Sequence, residues 1–270
     1  RDWSSDVCSS DLNGATLGGS TANTWARSSW VGLQDNKLGQ VTLGRQSNPS
    51  FLPTILFNAY GDSGSYGPLW HATYFGNTGN TMTQLYNDTA WDNSISYSTP
   101  SLGGAVVTVQ NAKSGSGQQN TGANVLYFKG DLGLTAYQQR TTYNSTGSFQ
   151  TDVFTTNSYN PATTKGLGAS YDLQVAKVFA TWQKADDDFT NQHGKTYQTS
   201  ALVPVGPGNV MAEDAKTATT GAAVAKFREY AVGYDYNLSK KTDIYATLGR
   251  TSVTAQTQCQ TLGAGVRVRF

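Results

Sequence analysis

The chain has 270 residues, 37% of them hydrophobic and only 14% charged, with a formal net charge of +1. No window approaches the roughly 18 consecutive apolar residues of a membrane-spanning helix, which excludes a helical membrane protein. The balanced charge, without a basic run, gives no footprint for a nucleic-acid partner. Aromatics at 11%, led by 15 tyrosines, with so little charge, suit strands whose residues alternate between two environments.

Residues 1–12, RDWSSDVCSSDL, show no alternation and resemble the translation of a sequencing adapter. They are set aside as a non-native segment, and Cys8 with them. Cys259 then stands alone, so no disulfide is expected, and it is placed in a loop. Strand-like runs follow at about 22–33, 38–46, 93–99, 103–111, 123–129, 132–140, 163–173, 175–185, 196–205, 209–215, 224–236, 242–252 and 263–270. Short turns at 34–37, 100–102, 130–131, 172–174, 206–208 and 238–241 alternate with longer linkers rich in Gly, Ser, Asn, Thr and Asp. The longest are Ser47 to Asp92 and Thr141 to Ala162. Turns at one end and loops at the other are the sidedness of a transmembrane β-barrel, an all-β antiparallel fold.

The alternation within runs assigns faces. Ala105, Val107 and Val109 oppose Val106, Thr108 and Gln110; Ala176, Val178, Ala180 and Trp182 oppose Lys177, Phe179, Thr181 and Gln183. Tyr230, Val232, Tyr234 and Tyr236, with Ile244, Ala246 and Leu248 on the next run, read as a lipid face. In the last run Ala264, Val266, Val268 and Phe270 face one way and Gly263, Gly265, Arg267 and Arg269 the other. Lys177, Arg267 and Arg269 therefore have lumen parity, the two arginines near the exit. Lys226, Arg228 and Arg250 have lipid parity toward the loop ends, where a cation suits lipopolysaccharide phosphates. His71 and His193 are both placed in loops, and neither lies in a catalytic or metal-ligand spacing, so no enzyme, metal or cofactor is expected.

The segments ARSSWVGLQDNKLGQVTLGRQ at 26–46, DNSISYSTPSLGG at 92–104, YAVGYDYNLSKKTDIYATLGRTS at 230–252 and the terminal GVRVRF together resemble the trimeric general porins of Gram-negative, especially beta-proteobacterial, outer membranes. The resemblance implies a sixteen-stranded porin-type barrel with about thirteen strands present over 13–270, the first three being lost. It further implies a homotrimer in outer-membrane lipid and lipopolysaccharide, a water-filled passage for small hydrophilic solutes and ions, and a loop over 47–92 folded inward as a constriction. By motif position Arg27 and Arg45 match the family's constriction arginines, and Asp62 and Asp88 are the acids expected on the loop. Arg140 is added to the cationic wall from its strand alone. Phe270 matches the aromatic read by the barrel-assembly machinery. Arginines outnumbering loop acids point to anion preference. One detail conflicts with simple alternation: Arg45 shares parity with Val41 and Leu43, so either a bulge or a protein-facing wall with small outward residues such as Gly44 reconciles it with the lumen, or Arg45 lies outside the pore.

Overall fold

The computed structural model describes residues 28–61, 89–115, 117–142, 162–187, 191–221, 224–253 and 259–268. Arg27, Asp62, Asp88, Arg269 and Phe270 lie outside them. Thirteen strands form one sheet: β1 (Ser29–Asp35), β2 (Gly39–Ser47), β3 (Ala90–Ser98), β4 (Ala105–Lys113), β5 (Gln119–Lys129), β6 (Leu132–Thr141), β7 (Ala162–Asp172), β8 (Lys177–Asp187), β9 (Gln192–Val205), β10 (Gly208–Gly221), β11 (Ala225–Asn237), β12 (Thr242–Val253) and β13 (Cys259–Val268). Each pairs antiparallel with its chain neighbours. One short helix, α1 (Phe51–Leu56), follows β2.

The register carries the two faces around the sheet without interruption from β3 to β13. Ser96 pairs Gln110, which pairs Gly122, then Gln139, Thr164, Ala185 and Gly194. This face is polar or small, and most of its side chains are covered. The opposite face presents Val107, Val109, Leu134, Leu167, Val232 and Leu248, all well exposed. A large apolar surface left open on a folded sheet is the reverse of a soluble fold, and it fits a solvent of lipid tails. Tyr97, Tyr171 and Tyr236 ring the turn end of this outward face, and Trp182, Tyr197 and Tyr230 its loop end. Two aromatic girdles bound an apolar band, as in outer-membrane barrels.

Each of the thirteen runs read from the sequence contains a strand among the described residues, but several extend further. The tail of β10, Lys216 to Gly221, has no apolar alternation, yet it pairs with β9 and β11. Pairing partners on both sides supply its backbone hydrogen bonds whatever its side chains. Consequently the connections after β8 and β10 shrink to residues 188–191 and 222–224. The expected strict alternation of turn and loop lengths is marked chiefly by 48–89 and 142–161. Two residues move out of loops for the same reason: Cys259 opens β13 opposite Thr251, and His193 belongs to β9, its Nδ1 2.7 Å from Asp186 Oδ1.

The inward face is closely fitted in places. Tyr137 lies flat across Gly166, and its hydroxyl donates to Gln183 Oε1 at 2.6 Å. A Cβ at residue 166 would fall inside the tyrosine ring. Gly166→Val should displace Tyr137 and destabilise the barrel by about 1–3 kcal/mol. Thermal unfolding followed by gel mobility measures it, and an unshifted transition would refute the packing.

Candidate pore constriction and channel wall

The segment after β2 begins with local chemistry that stops a strand. Asn48 accepts the N–H of Phe51 on Oδ1 at 3.1 Å and the Ser50 hydroxyl at 3.1 Å, so a side chain two residues before the N-cap Ser50 satisfies the first amide of α1. Pro53 sits in the first turn, where no amide hydrogen bond is lost. The helix is six residues long, and its apolar side chains are unusual for a linker.

From there the chain crosses the inward face of the sheet. Asn124 Nδ2 of β5 donates to the Pro49 carbonyl at 2.7 Å, and the Ser50 N–H donates to Gln139 Oε1 of β6 at 3.1 Å. Phe57, fully buried, stacks on Phe128 with ring centroids 5.6 Å apart and covers Gly168 of β7. The Ala59 N–H donates to Ser200 Oγ of β9 at 3.0 Å, and the Tyr60 hydroxyl donates to the Met211 carbonyl of β10 at 3.3 Å. Ala59 and Tyr60 pack with Phe179, Ala231, Leu202 and Met211. A dozen residues thus touch strands from β5 to β11, all on the same face. Gly168 and Gly233 supply the room: a Cβ at residue 168 would approach Phe57, and one at 233 the Tyr60 hydroxyl.

Arg45 lies where the segment departs. Opposite it β3 carries an extra residue: Gly44 pairs Ser94 while Gln46 pairs Trp91. Asn93 has φ 51°, so the bulge lies on β3, while Thr42 and Gln46 of β2 still bond to each other and to Ser94 on the inward face, which leaves Arg45 the parity of Val41 and Leu43. Its side chain is 13% exposed, against 40% and 51% for those two residues. Arg45 Nη1 donates to Asp92 Oδ1 at 2.9 Å. Asp92, in β3 at the foot of the long connection, is an acidic partner of Arg45.

The remaining cations separate. Arg140 lies on the outward face with Leu132 and Leu134, and its Nη1 reaches Thr163 Oγ1 at 3.5 Å. It is therefore removed from the cationic wall, because Gln139, not Arg140, points inward. Lys177 is inward, its Nζ 5.3 Å from the Phe179 ring centre. Arg267 is also inward, but Nη2 sits 2.6 Å from Asp235 Oδ2 and 2.8 Å from Asp243 Oδ2, with Asp243 wholly buried. Two carboxylates more than offset its charge, so it does not act as a bare cation at the exit. Across β8 to β13 the inward face holds Asp187, Glu213, Glu229, Asp235 and Asp243 against Lys177 and Arg267.

Sequence reasoning passed over Gln139, Asn124, Ser200 and Phe57. The three polar residues look like any solvated lumen position. Phe57 carried a signal in FLPTILFNAY, an apolar run inside a polar linker.

A single antiparallel sheet, polar inward and apolar between two aromatic girdles outward, with a connection packed across its polar face, defines a β-barrel channel wall. The model of the Gram-negative porin family matches residues 8–256, and the chain belongs to that family. It is 24% identical over 297 residues to an outer membrane porin protein of Bordetella pertussis, covering 91% of this chain and 72% of the relative. Among solved structures it superposes on an anion-selective porin from Comamonas acidovorans with TM-score 0.68 and 23% identity, covering 91% of this chain and 78% of that one. It also matches the trimer form of OmpT from Vibrio cholerae at TM-score 0.64 and 14% identity, covering 90% and 80%. The protein is an outer-membrane diffusion channel and not an enzyme.

Proposed function

We propose that the chain lines a passage for small hydrophilic solutes and ions, narrowed by the 47–92 connection and assembled as a homotrimer in outer-membrane lipid and lipopolysaccharide. Delivery by the barrel-assembly machinery through Phe270 belongs to the same reading. The observation that carries it is the run of contacts from Pro49 to Tyr60 across the inward face of β5 to β11. Trimer assembly is supported by the trimeric form of the Vibrio relative.

Ion preference is set at the narrowest level, where poor screening makes a charge at about 4 Å worth about 4 kcal/mol against about 1 in water. On the first reading the constriction arginines Arg27 and Arg45 supply the deciding charge and the passage prefers anions, the property named for the Comamonas relative. Arg27→Gln with Arg45→Gln should move the zero-current potential in a salt gradient toward cations, less so at high salt. An unchanged potential would sink the assignment. The acidic inward face of β8 to β13 favours a second reading, cation preference set by the wall. On that reading the unmodified channel is already cation-selective, and Glu229→Gln reduces the selectivity.

A further inference from the structure

Glu213 of β10 stands on the inward face with only 4% of its surface exposed, and neither of its carboxylate oxygens has a hydrogen-bond partner. No cation among the described residues reaches it: Lys177 lies against the Phe179 ring, and Arg267 lies between Asp235 and Asp243. A bare carboxylate in such a place is strongly disfavoured, because its lost hydration is not replaced. A proton does not resolve this, since the neutral acid carries an O–H that finds no acceptor there.

A second carboxylate faces the same space. Glu213 pairs Ala231 while Ala215 pairs Glu229, so the two glutamates are diagonal neighbours on one face, about 7–8 Å apart, within reach of long side chains that converge on a point between them. Glu229 is half-buried, and its Oε1 accepts the Thr251 hydroxyl at 3.2 Å. On the other side Ser200 of β9 stands directly opposite Glu213 and turns its Oγ inward. The roof of this space is the end of the crossing segment. Ser200 holds the Ala59 N–H at 3.0 Å, and Ala231 packs with Ala59 and Tyr60, so both cross-strand neighbours of Glu213 touch that segment.

We propose that Glu213 and Glu229, with the Ser200 hydroxyl, hold one divalent cation of the calcium type beneath Ala59 and Tyr60. Two carboxylates match a doubly charged ion, and the oxygens around them are hard ligands. Calcium accepts about six to eight oxygens in irregular geometry, whereas magnesium demands a near-octahedral set and dehydrates reluctantly. A ligand set drawn from three neighbouring strands and completed by water suits calcium. Without the ion two carboxylates repel each other behind the segment; with it, the residues that seat Ala59 and Tyr60 are fixed from the wall side. On the reading of that segment as the constriction, on which this role rests, the ion fastens the narrow part of the channel to its wall.

The test uses the porin purified from outer membranes, delipidated, stripped with chelator and kept folded in detergent, as gel mobility before and after heating reports for every variant. Terbium, a luminescent ion of calcium size, is the binding probe, and calcium and magnesium are the competitors. Tyrosine-sensitised emission should appear on terbium binding, and calcium should displace it at lower concentration than magnesium. Glu213→Gln, which keeps the shape and removes the charge, should weaken binding about a hundredfold, and Glu229→Gln should weaken it less. Tyr60→Phe should dim the emission while uptake of isotopic calcium stays unchanged, which places the ion under that residue. In planar bilayers chelation should make the current of the unmodified porin noisier and leave that of Glu213→Gln unaltered, because the variant has no ion to lose. Equal terbium affinity in the unmodified porin and Glu213→Gln would overturn the site. So would a complete lack of uptake, which would make Glu213 a neutral acid, and an unchanged current after chelation would overturn the fastening role. Absence of conductance from the unmodified porin would sink the channel reading instead, a distinguishable failure.

Discussion

Phe57→Ala is expected to raise single-channel conductance and make it noisy while leaving the barrel folded. Phe57 has no exposed surface, stacks on Phe128 and covers Gly168. Truncating a fully buried phenylalanine costs about 3–5 kcal/mol. That loss falls on the seat of the crossing segment, since the strands keep their own ladders. The hydrogen bonds at Pro49, Ser50, Ala59 and Tyr60, at about 1 kcal/mol each, can offset the loss only in part. The segment should therefore sample positions away from the wall. Conductance in planar bilayers measures the effect, and gel mobility before and after heating reports whether the barrel survives. Unchanged conductance from a folded variant would mean that residues 48–61 do not limit the passage.

Arg267→Met should be the most damaging substitution on the inward wall. Arg267 bridges Asp235 of β11 and Asp243 of β12, so its removal leaves two carboxylates side by side, one of them without exposed surface. Breaking a buried ion group by removing one partner costs about 3–5 kcal/mol, because the remaining charge stays desolvated. The Arg267 side chain is itself 38% exposed, which places the expectation near the lower end, about 3 kcal/mol. Adding Asp243→Asn should restore part of the stability by removing one of the two neighbouring carboxylate charges. Urea unfolding of the three proteins in detergent gives the comparison. Equal midpoints for the single variant and the parent would show that the cluster carries no net stabilisation.

The face of most residues was legible from local order alone. Lys177 opposite Val178, Arg267 opposite Val266, and the tyrosines of β11 all fall where period-two alternation puts them. Arg140 was legible too, since Leu132, Leu134 and Ala136 share its parity. The partner of Arg45 was not, because a single extra residue on β3 and a positive φ at Asn93 bring Asp92 to it. No periodicity encodes those.

Alternation is a property of consecutive residues, so the sequence by itself determined the number of strands, the two faces and, through its motifs, the porin family. Register and cross-lumen contact are properties of residues far apart in the chain, and only the tertiary structure decided them. Ala59 meets Ser200 across 141 positions, and Arg267 meets Asp235 across 32. Glu213 and Glu229 become diagonal neighbours only because the connection between β10 and β11 sets their offset. The carboxylates that offset Arg267, the seat of Phe57 and the meeting of the two glutamates all follow from how a sheet built of local alternation pairs and curves. A polar residue on such a sheet looks the same in sequence whether it faces water or a folded loop, and burial distinguishes the two only once the loop is in place.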